Sequence, residues 1–447
     1  MNRFPRVFAA VATLLVLSTL LDLHADEPLR VASVKTRSGG PDYAPDQVIV
    51  GFRADADDSD VARVSRMAGA ARVRKSAFGR RVLLTLDAGF TVAEALDRLR
   101  GLPEVEYAEP NHVYRAYQAR RFAPNDRFYQ FQWHLQMLDS ERVWGIQTGD
   151  PAVGVAVLDT GIAYEDFGPY RKAPDFGNTT FLAGFDFINN DSHANDDNFH
   201  GTHVASVIAE ATDNTEGVAS LAFRVALMPV KVLDAEGFGN TFVIAEGIDF
   251  AAANSTVKVI NMSLGGSGSS TSIANAVTRA VGRGITVVAA SGNDGEGTVG
   301  FPANLSNVIA VGAIEGRKRR APYSNFGSAL DLVAPGGDLD RDDTGPNLRP
   351  DGRPDGILQQ TFDPEDAARG IFNDFGYFFV VGTSQATPHV SALAALLYRQ
   401  GITDPVAIQR AMEMTADDLG NTGRDDQYGH GLINPTKALS GFGLNQQ

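Results

Sequence analysis

The sequence predicts an α/β domain with a central, mostly parallel sheet flanked by helices, preceded by a small α+β domain. Two observations lead to this prediction. From about residue 124 onward, near-continuous apolar segments that suit buried strands alternate with segments that suit helices. That alternation is typical of a parallel sheet covered on both faces. Before it, residues 45–111 show the order β-α-β-β-α-β of a split βαβ fold.

Residues 1–25 have the pattern of a secretory signal peptide. Arg3 and Arg6 form a basic start, an apolar run follows at 7–21, and residues 23–25 suit a cleavage site. The run is shorter than the roughly 18 to 20 residues that span a membrane, and no later apolar run reaches that length. We therefore expect a soluble, secreted protein with no membrane partner after the signal is removed, extracellular or, in a Gram-negative bacterium, periplasmic.

The small domain and its linker are predicted over residues 26–121. The element order indicates a ferredoxin-like unit, and residues 112–124 form a basic, aromatic tail that suits an exposed linker. Strands are expected at 47–52, 72–78, 81–86 and 105–111, and amphipathic helices at 61–68 and 92–99.

The larger domain is predicted over residues 122–442. Right-handed crossovers between parallel strands place functional loops at the carboxyl ends of the strands. Residues 336–376 interrupt the alternation with glycine, aspartate and proline, so we predict an acidic surface loop inserted there. Strands are expected at 154–158, 225–232, 257–262, 285–290, 308–313, 330–334 and 378–381, and helices after His200, at 242–253, at 273–281 and after Ser384.

Composition limits the chemistry. The chain of 447 residues contains no cysteine, which excludes disulfides, thiolate metal sites and cysteine nucleophiles. Of the net charge of −15, residues 1–121 carry +3, so that 122–447 carries −18. Nucleic acid is therefore not an expected partner. An exported protein without disulfides needs another source of stability, and bound cations suit its charge.

Three polar residues fall where functional loops are expected. Asp159 ends an apolar strand, His200 opens a helix, and Ser384 lies between a strand and a helix of small apolar residues. A buried carboxylate needs a partner, and a helix start favours developing negative charge. A hydroxyl nucleophile needs an imidazole base and a carboxylate to orient it, so the order Asp, His, Ser fits a catalytic triad. Taken alone, Ser384 would more often be an N-cap residue.

The segments that begin at Asp159 (DTG), His200 (HGTHVA) and Gly382 (GTSQATPHV) resemble the three active-site signatures of the subtilisin-like serine proteases. The resemblance implies a monomeric serine endopeptidase that acts on protein or peptide substrates. The small domain, with VEYAEPN at 105–111, is similar to the inhibitor-type propeptide of secreted members of that family. Its resemblance implies that residues 26–121 act as an intramolecular inhibitor.

The resemblance also assigns residues around the triad. Asn293 matches the asparagine that donates to the tetrahedral oxyanion, with the backbone N–H of Ser384 as second donor. Gly300 matches the floor of the specificity pocket, which implies room for a large apolar or aromatic residue before the scissile bond. The edge segment that pairs with substrate as an added strand is matched by Ser263, Leu264 and Gly265.

Structural calcium (Ca²⁺) is implied by the same resemblance. The aspartate that supports the family's calcium site is matched by Asp175 or by Asp166, and the loop that carries Asn214 and Glu216 resembles the calcium loop. Oxygen ligands of this kind are those that Ca²⁺ prefers. Asp338, Asp340 and Asp342 offer a further oxygen-rich segment. For each of these segments, a solvated acidic loop is an equal interpretation.

Two other functions compete with a serine protease. Asp343-Thr344-Gly345 repeats the motif at Asp159, and paired motifs of this kind build the two-carboxylate site of aspartic proteases, but in all-β folds. A secreted binding protein of the same fold that has lost activity would lack a catalytic group, and none is missing. His203 and His389, the second histidines of their motifs, are expected to be packed structural residues.

Overall fold

The computed structural model describes residues 43–112, 121–342 and 352–441. The chain divides into two compact units, with the division between Tyr117 and Gln118. The predicted signal peptide, residues 113–120 of the predicted linker and the second DTG motif lie outside the described residues. In the part of the chain that is described, no helix is long and apolar enough to cross a membrane.

The N-terminal unit has the predicted order of elements and a hydrophobic core of its own. Its four strands form one antiparallel sheet. The first helix begins earlier than the predicted Val61 because Asp57 caps it, accepting from the N–H groups of Ser59 and Asp60. The elements are β1 (Tyr43–Phe52), α1 (Asp58–Met67), β2 (Ala70–Lys75), β3 (Arg81–Leu86), α2 (Val92–Leu99) and β4 (Val105–His112), and the sheet order is β2-β3-β1-β4.

The C-terminal unit alternates strands and helices over residues 185–290, as predicted, and three more of its described strands then follow before the next helix. Its first elements are α3 (Trp133–Met137), α4 (Ser140–Ile146), β5 (Gly154–Asp159), β6 (Phe185–Asp186), α5 (His200–Ala209), β7 (Ala226–Lys231), α6 (Thr241–Ala253), β8 (Val257–Met262) and α7 (Thr271–Gly282). They are followed by β9 (Thr286–Ala290), β10 (Ile309–Ile314), β11 (Leu332–Pro335), β12 (Ile357–Phe362), α8 (Pro364–Ala367), β13 (Phe375–Val380), α9 (Thr383–Arg399), α10 (Pro405–Thr415) and α11 (Pro435–Leu439).

A seven-stranded parallel sheet forms the centre of this unit, in the order β11-β10-β9-β8-β5-β7-β6. Every residue of β5, β7 and β10 is buried, as expected for strands covered on both faces. Helices α5 and α9 pack on each other, as do α6 and α7, and both pairs contact the sheet. The predicted parallel sheet with flanking helices is confirmed.

The segment 336–376 differs from the predicted acidic surface loop. It contains β12, which is buried at every residue and pairs with β13 in an antiparallel hairpin that packs on α5. The strand before Ser384 therefore belongs to this hairpin and not to the central sheet. Polar residues interrupt this strand, so the apolar pattern does not predict it. Two of them find partners inside: the Gln360 side chain accepts from Asp175 N at 2.9 Å, and Thr361 Oγ1 donates to the Phe199 carbonyl at 2.7 Å.

Candidate active site

Asp159 and His200 are in direct contact. Asp159 ends β5 and is fully buried, and its Oδ1 lies 2.7 Å from Nδ1 of His200 at the start of α5. The backbone N–H of Thr160 donates to the same oxygen at 2.8 Å. A carboxylate on Nδ1 fixes the imidazole with Nε2 free to accept a proton. The contact therefore prepares His200 to act as a base.

A buried carboxylate that sequence analysis did not single out, Asp196, ties the segments of Asp159 and His200 together. Its Oδ1 accepts from Thr160 Oγ1 at 2.8 Å and from two N–H groups just ahead of α5. Its Oδ2 accepts from N and Oγ1 of Thr202, at 2.9 and 2.6 Å. The sequence signal for this residue, an aspartate pair shortly before His200, suits an exposed loop equally well.

Lys231, on the neighbouring strand β7, forms a hydrogen bond with the turn that follows Asp159. The side chain is 1% exposed at the end of β7, and its Nζ donates to the carbonyl oxygens of Thr160 at 2.7 Å and Leu233 at 2.9 Å. It also pairs with Asp197 at 2.5 Å. A buried ammonium is tolerated only when its hydrogen bonds are satisfied in this way. Sequence analysis missed this residue because it appears as one lysine in an apolar strand.

Ser384 lies in the first turn of α9. Its Oγ donates to the carbonyl oxygen of Ser263 at 3.2 Å, and the carbonyl of Ser384 accepts from Ser263 Oγ at 2.8 Å. Within the described residues, no hydrogen bond joins Ser384 Oγ to His200. Bonds between a nucleophile and its base are often long before substrate binds. The structure thus brings Asp159 and His200 together and leaves Ser384 held by Ser263.

Asn293 is held by the start of the same helix. Its Oδ1 accepts from both N and Oγ1 of Thr383, at 2.9 and 2.8 Å. Because these bonds engage the oxygen end of the amide, the Nδ2 end remains available as a donor. The backbone N–H of Ser384, in the first turn of α9, is also free of an intrahelical partner. Two donors of the predicted oxyanion site therefore stand beside the predicted nucleophile.

A groove of about 620 Å³ runs past His200, and Ser263, Leu264 and Gly265 are among its lining residues. Gly266 and Phe301 exchange two backbone hydrogen bonds of 2.9 and 3.0 Å, so the segments at 263–266 and 300–302 adjoin. Gly300 directly precedes the lining residue Phe301. A Cβ at position 300 would stand 3.2 Å from the Ser291 carbonyl oxygen, a tight contact that favours glycine.

The histidines of the unit differ in electrostatic environment. Burial opposes a charge on His200, but the adjacent Asp159 carboxylate outweighs it and raises the pKa of the imidazole above its ordinary value. Burial lowers the pKa of His203 to about 3 and that of His389 to about 4, so both rings are neutral. His389 Nε2 lies 2.9 Å from His134 Nδ1 inside the core. His203 and His389 are therefore buried, packed residues, as predicted.

The predicted calcium ligands are only partly brought together. Asn214 Nδ2 donates to Asp175 Oδ1 at 2.7 Å, and Asp175 is fully buried. Glu216 is exposed and contributes its backbone N–H to Asn214 Oδ1 at 2.9 Å. Asp166, the alternative to Asp175, is exposed. Sequence analysis missed Asp126, which is 6% exposed, accepts from Asp213 N at 2.8 Å and has an Oδ1 without a partner.

Comparison with known proteins gives consistent matches along the chain. Residues 150–431 match the model of the subtilase family, and residues 30–111 match the fervidolysin N-terminal prodomain. A thermophilic serine proteinase of Bacillus sp. (strain AK1) is 34% identical over 93% of this chain and 92% of its own length. Thermitase of Thermoactinomyces vulgaris is 32% identical over 71% of this chain and 99% of its own. A solved protease structure from Pseudoalteromonas arctica has a TM-score of 0.62 and 31% identity, covering 71% of this chain and 99% of that one.

Proposed function

The chain belongs to the subtilase family of serine endopeptidases, and from that premise we propose that Asp159, His200 and Ser384 form its catalytic triad, with Asn293 as an oxyanion donor. The observation that carries the proposal is the 2.7 Å contact of His200 Nδ1 with the buried Asp159 carboxylate. His200 lines the same groove as Ser263, whose carbonyl oxygen holds the hydroxyl of Ser384.

In this mechanism Ser384 Oγ attacks the carbonyl carbon of the scissile bond while His200 Nε2 takes its proton. Asn293 Nδ2 and the backbone N–H of Ser384 stabilise the negative oxygen of the tetrahedral intermediate. The C–N bond then breaks, and His200 gives the proton to the leaving amine. A water molecule repeats the sequence on the acyl-enzyme and releases the acid. Asp159 holds the imidazole in place and stabilises the imidazolium in each half.

For substrate selection, we propose that an extended peptide pairs with the edge formed by Ser263, Leu264 and Gly265. A Cβ at position 265 would stand 3.1 Å from the Phe301 carbonyl oxygen, so glycine there lets this segment lie close against residues 300–302. With Gly300 as the floor of the pocket, a large apolar or aromatic residue before the scissile bond is accommodated. We therefore expect broad specificity for protein substrates with that preference.

We also propose that the protein is secreted and that residues 26–121 are a propeptide that inhibits the enzyme before it is removed. The signal pattern at 1–25 supports export, and the match of residues 30–111 to a prodomain supports the second role. The N-terminal unit has its own core, as a domain that folds before removal requires. A catalytically silent binding protein is the remaining alternative, and no observation favours it because Asp159, His200, Ser384 and Asn293 are all present.

A serine-directed phosphonate or sulfonyl fluoride tests the proposed triad. The reagent is expected to label Ser384, identified by peptide mass spectrometry. The labelling rate should rise from acid to a neutral or mildly alkaline plateau, because only neutral His200 can accept the Ser384 proton. Asp159 raises the pKa of His200, so the midpoint should lie above the ordinary imidazole value of about 6.5. Labelling elsewhere, or an optimum below about pH 5, would contradict the assignment.

We also propose a structural calcium ion beside Asp126 and Asp175. Burial raises the pKa of Asp126 to about 6 and also raises the pKa of Asp175, so both carboxylates lack a compensating charge. Among the described residues, no group of three acidic or histidine side chains could hold a metal ion. Amide and carbonyl oxygens near Asn214 would therefore have to complete the ligand set, as Ca²⁺ accepts.

Adding Ca²⁺ in place of a chelator is expected to raise the melting temperature by about 4 °C. An ion present at about 100 times its Kd adds about 2.7 kcal/mol, and the unfolding entropy of a domain of roughly 320 residues gives a shift of about 1.5 °C per kcal/mol. Asp126→Asn should abolish most of this shift, whereas Asp166→Asn, in an exposed loop, should retain it. An equal melting temperature in calcium and chelator would rule out a structural site.

A further inference from the structure

Gln385, the residue after the proposed nucleophile, has a buried amide donor without a partner. The side chain is 1% exposed, and its Nε2 makes no hydrogen bond in the described part of the chain. Buried donors are nearly always satisfied, and leaving one unpaired is costly. No step of the triad mechanism uses this group.

The carboxamide of Gln385 lies beside the proposed oxyanion donors. A Cβ built on Gly382 would stand 2.8 Å from Gln385 Oε1 and 3.5 Å from both Asn293 Nδ2 and the backbone N of Ser384. The three groups therefore lie close to one another beside Gly382. Gly382 has a φ of 151°, which is strained for other residues, and any side chain there would displace the Gln385 amide. Glycine at this position avoids that clash.

The orientation of this amide is not fixed by hydrogen bonds at its nitrogen end. The last torsion of a glutamine is broad and roughly two-fold, so a half-turn exchanges the oxygen and the NH₂ group at small cost. After that half-turn, the NH₂ group would take the place of Oε1, on the side of the amide that faces Gly382. An oxyanion held beside Gly382 by Asn293 Nδ2 and the backbone N–H of Ser384 would supply the acceptor that the buried donor lacks.

We propose that Gln385 is a third hydrogen-bond donor to the tetrahedral oxyanion formed from peptide substrates. This inference rests on the proposed function, because it needs Ser384 as nucleophile. Its contribution adds to those of Asn293 and the Ser384 N–H, and it is made only when negative charge develops. Gln385 therefore acts on the transition state and leaves ground-state binding unchanged.

Gln385→Met tests the proposal, because methionine keeps the length of the side chain and removes the donor. We expect kcat/KM for a peptide amide to fall about 10- to 100-fold, with KM within twofold of wild type. A peptide boronic acid, which forms a tetrahedral adduct with the serine, should bind more weakly by a similar factor. Gln385→Glu, which replaces the donor by an anion, should lose more. Gln409→Met, a half-buried glutamine on α10, is the matched control and should retain full activity.

A kcat/KM within twofold of wild type in folded Gln385→Met would overturn the proposal. A change confined to KM would also overturn it, because it would place the contact in the ground state. Failure of the proposed function looks different: wild-type protein would then neither hydrolyse peptides nor be labelled at Ser384. The melting temperature of each variant distinguishes a lost donor from a damaged fold.

Discussion

Replacing Ser384 with alanine is expected to lower kcat for peptide-bond hydrolysis by about four to six orders of magnitude, the range known for triad members of subtilisin itself. Without Oγ no acyl-enzyme can form, and the donors that remain around the oxyanion stabilise only a direct attack by water. The measurement is hydrolysis of a chromogenic peptide amide by purified protein, with active-site titration of the wild type.

Two further variants show whether the loss is specific to the proposed triad. His200→Ala should lose nearly as much, and the double variant should lose no more than either single one, because the groups act as a unit. Ser328→Ala alters an exposed serine that is not among the lining residues of the groove and should remain fully active. Ser384 Oγ makes one long hydrogen bond, to Ser263, so its removal should leave the melting temperature nearly unchanged. Activity above one per cent in Ser384→Ala would refute the assignment.

The sheet and the positions of Asp159, His200 and Ser384 could be predicted because each depends on local sequence. Strands buried on both faces are nearly continuous apolar runs, so β5, β7 and β9 are visible as such. The functional loops are then expected at the carboxyl ends of these strands. Few residue types serve as nucleophile, base and orienting carboxylate, and the order Asp, His, Ser along the chain is a known pattern. Sequence analysis of one chain is sufficient for features of this kind.

Residues that act through distant partners could not be predicted. Strand β12 is buried although Gln359, Gln360 and Thr361 interrupt it, because their partners come from segments far away in the chain. Asp196 and Lys231 resemble ordinary loop and surface charges until the fold places Thr160 beside both. Asp126 likewise becomes notable only where it meets the loop at Asp213. In each case the burial of a polar group, and not its type, is the informative signal.

The same Ser384→Ala variant is expected to accumulate as a precursor that retains residues 26 to about 120. Active protein should instead mature to an amino terminus within residues 112–125, most of which lie outside the described residues. The reason is proximity: a scissile bond tethered to its own active site has a high effective concentration, so the first cleavage is intramolecular. Tyr114 or Tyr117 would suit an enzyme that prefers aromatic residues, whereas Arg120-Arg121 would suit a separate basic-specific protease.

The wild-type protein and Ser384→Ala are expressed without other proteases. Their amino termini are sequenced, and their intact masses are measured. Dilution of wild-type protein should leave the rate of the first cleavage unchanged, whereas cleavage of the Ser384→Ala precursor by added active enzyme should depend on concentration. Purified residues 26–121 should inhibit the mature enzyme, which a permanent accessory domain would not do. If the inactive variant is trimmed as completely as the active one, self-processing is wrong and another protease removes the N-terminal unit. If neither is trimmed, that unit is a permanent domain.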